Sequence, residues 1–80
     1  MITFPTNPAR ALVLSDIISQ LEWIRDESLF AQSLILGIRS GRGKQAVEEV
    51  YQQSLDNRSL VSDIVGEKLL QKIENYHNPC

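Results

Sequence analysis

The chain has 80 residues, of which 42% are hydrophobic and 22% charged, and its net charge at pH 7 is −2. This composition is far from that of disordered segments, so we expect the chain to fold, and 80 residues can supply only one core. The slightly negative charge excludes a general attraction for nucleic acid or anionic lipid, so such binding would need a local basic patch.

One cysteine, Cys80, and one histidine, His77, limit the chemistry that the chain can perform. A lone cysteine forms no intrachain disulfide, and these two residues cannot complete a four-ligand zinc site. A core of this size contributes only about 3–5 kcal/mol of net stability, which makes association with another subunit the expected source of more. An unpaired thiol, and no apolar run near the ~20 residues of a transmembrane helix, predict a cytoplasmic protein without membrane contact.

The first element in chain order is a helix preceded by a short extended lead-in. Residues 1–7 are predicted to be extended, because Pro5 and Pro8 oppose helix where a signal peptide would need one. Asn7 at the N-cap and Pro8 in the first turn favour a helix start, and the apolar spacing that follows predicts a helix over 8–25. The residues on this apolar stripe are Ala11, Leu14, Ile17, Ile18, Leu21 and Ile24.

The second predicted element, 28–40, is the most apolar part of the chain. Asp26 and Ser28 offer capping side chains before it, and the apolar residues that follow leave almost no polar face. Such a run fits either a helix that is buried on most sides or a short buried strand. Because the chain has no clear partner strand, we favour a helix and expect this segment to be the most buried.

Two amphipathic helices are predicted to follow, over 44–55 and 58–75. Gly66 lies inside the second of these and should weaken it by about 1 kcal/mol relative to alanine. Pro79 opposes further helix, so residues 76–80 are predicted to form a frayed tail. Four helices with short connections predict an all-α fold, a small bundle of three to four helices that forms one domain over residues 1–80.

The apolar spacing predicts more apolar surface than one small bundle can bury. Trp23 lies off the main stripe of the first helix, and Leu69 and Leu70 point in different directions. A homodimer with a shared core would bury these side chains and add the stability that a small chain lacks, so a dimer is favoured.

The glycines around residue 40 suggest a phosphate-binding loop, but the spacing is wrong. Such a loop has four residues between its glycines and a serine or threonine after its lysine. Gly37 and Gly43 enclose five residues, and Gln45 takes the place of the hydroxyl residue. Nucleotide hydrolysis is therefore not predicted.

The same stretch contains a cluster of positive charge. Arg39, Arg42 and Lys44 are three of the eight basic residues of the chain, and they could contact phosphates. Glu48 and Glu49 follow close behind and would repel a nucleic-acid backbone. A solvated turn is the simpler interpretation, and a nucleic-acid-associated regulator that uses residues 39–44 is the alternative.

Catalysis has little support in this sequence. His77 falls in the predicted frayed tail, so a serine or cysteine nucleophile would lack an oriented base. We therefore predict a chain without enzymatic activity, cofactor or metal: a small helical protein–protein interaction module, acting as an adaptor or regulator. Its predicted interface residues are Trp23, Leu29 and Phe30, because large apolar and aromatic side chains dominate such interfaces.

Overall fold

The structure is a computed structural model, and it describes residues 8–78. The predicted lead-in, 1–7, and the last two residues lie outside the described part. Within it the chain forms five helices: α1 (Pro8–Glu22), α2 (Leu29–Arg39), α3 (Gly43–Asp56), α4 (Arg58–Val65) and α5 (Glu67–His77). The prediction of an all-helical fold is confirmed for these residues, but the predicted count of three to four helices is too low.

The first helix ends earlier than the apolar spacing predicted, at Glu22 rather than near residue 25. Trp23 and Ile24 donate their backbone N–H groups to carbonyls three residues back, at 3.1 and 3.3 Å. This i→i−3 pattern is the tightening that commonly ends an α-helix. Ile24 still packs against the core from this turn, which is why the apolar stripe extends beyond the helix itself.

The second helix is capped as its sequence indicates. The Ser28 hydroxyl accepts a hydrogen bond from the backbone N–H of Ala31 at 3.1 Å, and the Asp26 carboxylate accepts one from the N–H of Ser28 at 2.8 Å. The segment is therefore a helix, and the strand alternative is wrong. The expectation that it is the most buried segment is also wrong, because only Ala31 and Leu34 are buried in it.

The glycine-rich stretch after α2 is a helix C-cap. Gly41, at φ 83°, donates its N–H to the carbonyl of Ile38 at 3.1 Å, and Arg42 donates its N–H to the carbonyl of Gly37 at 2.8 Å. These two bonds form a Schellman motif, which satisfies carbonyls that a helix end otherwise leaves unpaired. Gly43 then begins α3, where an added Cβ would lie 2.9 Å from the Ile18 side chain, so glycine allows α3 to pack closely on α1.

The single helix predicted over 58–75 is two helices that meet at Gly66. This glycine has φ 93° and ψ 144°, and it is both the C-cap of α4 and the N-cap of α5. The predicted frayed tail, 76–80, is wrong for Tyr76 and His77, which belong to α5.

The core lies around α3, which packs against all four other helices. Leu69 and Leu70 are both buried in this core, so the two do not add to the exposed apolar surface as the sequence suggested. The largest fully buried side chains come from α1, α3, α4 and α5; they are Ile17, Leu21, Val47, Val50, Val61, Leu70 and Ile73. Across residues 8–78, no helix combines the length and the apolar character needed to cross a membrane.

Candidate interaction surfaces

Large apolar side chains remain exposed at several places on the described surface. Single exposed apolar residues are common in soluble proteins, so the grouping of these residues matters more than their number. They are Leu12, Val13, Trp23, Leu29, Leu36, Leu55 and Leu60.

One group lies on the side of α2 that faces away from the core. Leu29 is 84% exposed and Leu36 is 67% exposed. The two are seven residues apart, which is about two helical turns, so they point in nearly the same direction. Ala31 and Leu34 are buried on the opposite side. We call the side defined by Leu29, Ser33 and Leu36 the outer face of α2.

A groove of about 240 Å³ lies beside this face, between α2 and α3. An added Cβ on Gly37 would have no atom within 4 Å, so the groove is open above this glycine. The residues around the groove include Ser33, Leu36, Gly37, Arg42, Gln45 and Glu49. The outer face of α2 therefore continues into a concave site that could receive a side chain from another molecule.

The three residues that the sequence predicted as an interface have different environments. Trp23 is 72% exposed in the turn after α1, and Leu29 is exposed at the start of α2. Phe30 is half-buried and packs against the core. An alanine at Phe30 would therefore also disturb the fold, which makes Phe30 a poor probe of binding.

The basic residues of 39–44 are only partly free. The Arg39 Nε atom lies 3.5 Å from Oε2 of Glu22, which links the end of α2 to the end of α1. Arg42 and Lys44 are exposed, and neither forms an ion pair within residues 8–78. Glu49 lies beside the same groove as Arg42 and reduces the positive potential there.

The opposite end of α2 is acidic. Glu27 is exposed and Asp26 is half-buried just before the helix begins. The hydroxyl and the backbone N–H of Ser28 hold the pKa of the Asp26 carboxyl below its ordinary value. The outer face of α2 thus runs from a negative end to a positive end.

A second groove, of about 620 Å³, lies between α1 and α5. Leu12 and Val13 line one side of it, and Tyr76 lies on the other with the Arg10 guanidinium 4.1 Å from its ring centre. This groove was not predicted from the sequence, because its two sides are about 60 residues apart in the chain and meet only in the folded protein.

His77 lies in a cluster of side chains that was also not predicted from the sequence. Its ring stacks on Tyr51 with the ring centres 4.2 Å apart, and its Nε2 atom lies 3.4 Å from Oε2 of Glu48 without hydrogen-bond geometry. The Tyr51 hydroxyl accepts a hydrogen bond from the Asn78 amide at 3.0 Å. These contacts fix the end of α5 to α3, so the cluster has a structural explanation.

Among residues 8–78, no group of three or more histidine, cysteine, aspartate or glutamate side chains could hold a metal ion. Comparison of the chain with protein-family models, with curated proteins and with solved structures finds no match. The surfaces of this chain are therefore the basis for a proposal of its function.

Proposed function

We propose that this chain is a small self-associating helical module, an adaptor or regulator that acts by binding proteins and has no catalytic activity. The observation that supports this proposal is the outer face of α2, which exposes Leu29 and Leu36 on one side of the helix. The unpaired thiol of the sequence suits a module that works in the reducing cytoplasm.

Energetics favour covering this face. Burying one exposed leucine side chain contributes about 1.5–3 kcal/mol. A core of this size supplies only about 3–5 kcal/mol of net stability. Covering Leu29 and Leu36 in an interface would therefore supply a gross free energy comparable to the stability of the folded monomer, from which the entropy cost of association is subtracted.

The molar mass in solution tests the proposal. Light scattering behind size-exclusion chromatography should give a mass above 9.1 kDa that rises with chain concentration. A mass that stays at 9.1 kDa up to the highest soluble concentration would overturn self-association.

The alternative proposal is a nucleic-acid-associated regulator that uses Arg39, Arg42 and Lys44. The exposure of Arg42 and Lys44 favours it, whereas Glu22 and Glu49 beside the cluster oppose it. Binding through phosphates should weaken steeply between roughly 50 and 200 mM salt and should fall further in an Arg42→Gln, Lys44→Gln variant. No binding to mixed-sequence DNA or RNA at low salt would eliminate this alternative.

A further inference from the structure

Gly37 has no role inside the chain that would require a glycine. It lies within α2, where glycine weakens a helix relative to alanine, and it is not among the glycines with positive φ. An added Cβ would meet no atom of the described chain within 4 Å. Since glycine is also the residue that lets another backbone approach closely, an intermolecular contact at Gly37 would explain it.

We infer that the outer face of α2 binds the same face of a second copy, with the two α2 helices antiparallel about a two-fold axis at Ser33. This inference rests on the self-association proposed above and names its partner and geometry. In a two-fold interface the same surface patch is used on both copies. In this arrangement a residue that follows Ser33 in one copy lies opposite the residue that precedes Ser33 by the same number of positions in the other copy. Gly37, four residues after Ser33, therefore faces Leu29 of the second copy.

The shape of the surface suits this register. Leu29 of each copy enters the groove between α2 and α3 of the other, where about 240 Å³ is available above Gly37. Ser33, a small exposed side chain, lies at the axis and allows the helices to cross closely. Each interface therefore contains the same leucine contact twice.

The charges at the two ends of α2 favour the antiparallel direction. Residues 25–28 contain two acidic residues and one basic residue, whereas 39–44 contains three basic residues, one of which, Arg39, pairs with Glu22 of the same chain. Antiparallel packing brings the acidic end of each copy against the basic end of the other. Parallel packing would place like charges together, which costs free energy.

The size of the contact indicates reversible association. A helix of 11 residues is about 16 Å long, and stable interfaces bury about 1,200–2,000 Å² in total. Two α2 faces of this length, each about 10 Å wide, bury less than that range, so the association should be weak and reversible. Arg42, which lines the groove, enlarges the contact at both ends.

Disulfide trapping tests the register. In a Cys80→Ser background, Ser33→Cys should form a disulfide-linked dimer under mild oxidation, because a two-fold axis brings the same residue of both copies within the ~4.4–6.8 Å Cα separation that a disulfide needs. Ser59→Cys, also exposed but on α4, is the matched control and should remain largely unlinked. Equal linking of the two variants would overturn the register.

Substitutions on α2 test the surface. Leu29→Ser and Leu36→Ser should each raise the dissociation constant of the dimer by about tenfold or more. The control is Leu55→Ser with Leu60→Ser, which removes two leucines that are 66% and 54% exposed away from α2 and should leave the constant unchanged.

Gly37→Gln separates binding from folding. It should weaken the dimer without lowering the urea midpoint of the dilute monomer, whereas a purely structural role would lower that midpoint.

If the native chain self-associates but none of the α2 variants weakens it, the α2 inference is overturned and the proposed self-association stands. If the native chain stays at 9.1 kDa, both are overturned.

Discussion

Gly66 separates α4 from α5 in a backbone conformation that other residues avoid. Its φ of 93° and ψ of 144° lie close to a region that is essentially restricted to glycine, and a side chain there costs about 1–3 kcal/mol. We therefore expect Gly66→Ala to lower the free energy of unfolding by about that amount. Urea denaturation followed by circular dichroism would measure the loss.

Gly37→Ala is the matched control for this prediction. Gly37 has no positive φ and an open site for a Cβ, so alanine there should raise the free energy of unfolding of the dilute monomer by about 0.5–1 kcal/mol. The two glycine-to-alanine changes should thus act in opposite directions. A loss of stability in both would contradict the backbone explanation for Gly66.

The role of Gly66 could not be read from the sequence, and the reason is specific. Val65, Leu69 and Ile73 keep helical spacing across the break, and all three are buried. Periodicity therefore predicted one continuous helix, while the positive φ that interrupts it leaves no mark on the apolar pattern. The close approach of Gly43 to Ile18 could not be predicted from the sequence either, because the two residues belong to different helices.

Between elements, Arg58 joins α4 to α5 across the break at Gly66. Its guanidinium lies 2.7 Å from a carboxylate oxygen of Glu67 and 2.7 Å from one of Glu74, and the Ser62 hydroxyl donates to Glu67 at 2.9 Å. Arg58 is the main cause that lowers the pKa of Glu67 to about 2 and also holds the pKa of Glu74 below its ordinary value. Arg58 and Glu67 are exposed and Glu74 is half-buried, so salt should screen part of their interaction.

This pairing predicts how stability depends on pH. A carboxyl group whose pKa is lower in the folded chain contributes stability that is present above its unfolded pKa and is lost as the pH falls through its folded pKa. For Glu67 this window runs from its ordinary value of 4.5 down to about 2. In Arg58→Gln the free energy of unfolding should therefore fall less over this range than in the native chain.

Urea denaturation at a series of pH values would check this expectation. The pair of Asp16 with Lys72, whose atoms are 3.0 Å apart, is retained in the variant, so its own acid dependence cancels in the comparison. Parallel pH profiles for the two chains would show that Arg58 does not cause the effect.

The bounds of α2 were predictable, but its surroundings were not. The Ser28 cap and the apolar run predicted a helix over 28–40, and the structure has Leu29–Arg39. Its apolar circumference suggested burial on most sides, yet only α1 and α3 are principal neighbours, so Leu29 and Leu36 stay exposed. How many neighbours cover a helix depends on tertiary packing, which the spacing within one helix does not encode.

At the scale of the whole molecule, α3 is the central helix and packs against the four others. Val47 and Val50 of α3 are fully buried between helices that come before and after them in the chain. Short connections and this central position explain how residues 8–78 form a common core. The exposed leucines of α2 are on the periphery of that core, so a second copy could cover them without rearrangement of the fold.

Leu70→Ala tests whether the free energy of unfolding of this core is small. Leu70 is fully buried on α5, and truncation of a buried leucine costs about 2–5 kcal/mol through lost burial and the cavity that remains. Because a core of this size supplies about 3–5 kcal/mol in all, we expect the dilute variant to lose most of its helical circular dichroism at 25 °C.

Leu55→Ala is the control for that loss, since Leu55 is 66% exposed and its truncation should change the free energy of unfolding by no more than about 0.5 kcal/mol.

The dependence of helicity on chain concentration is a second test. A dimer that forms only from folded chains stabilises them by mass action, so a concentrated sample of Leu70→Ala should regain helix that a dilute sample lacks. Recovery should disappear when Leu29→Ser and Leu36→Ser are added, because these changes remove the proposed interface. Full helicity of dilute Leu70→Ala would show that the monomer core is more stable than its size implies.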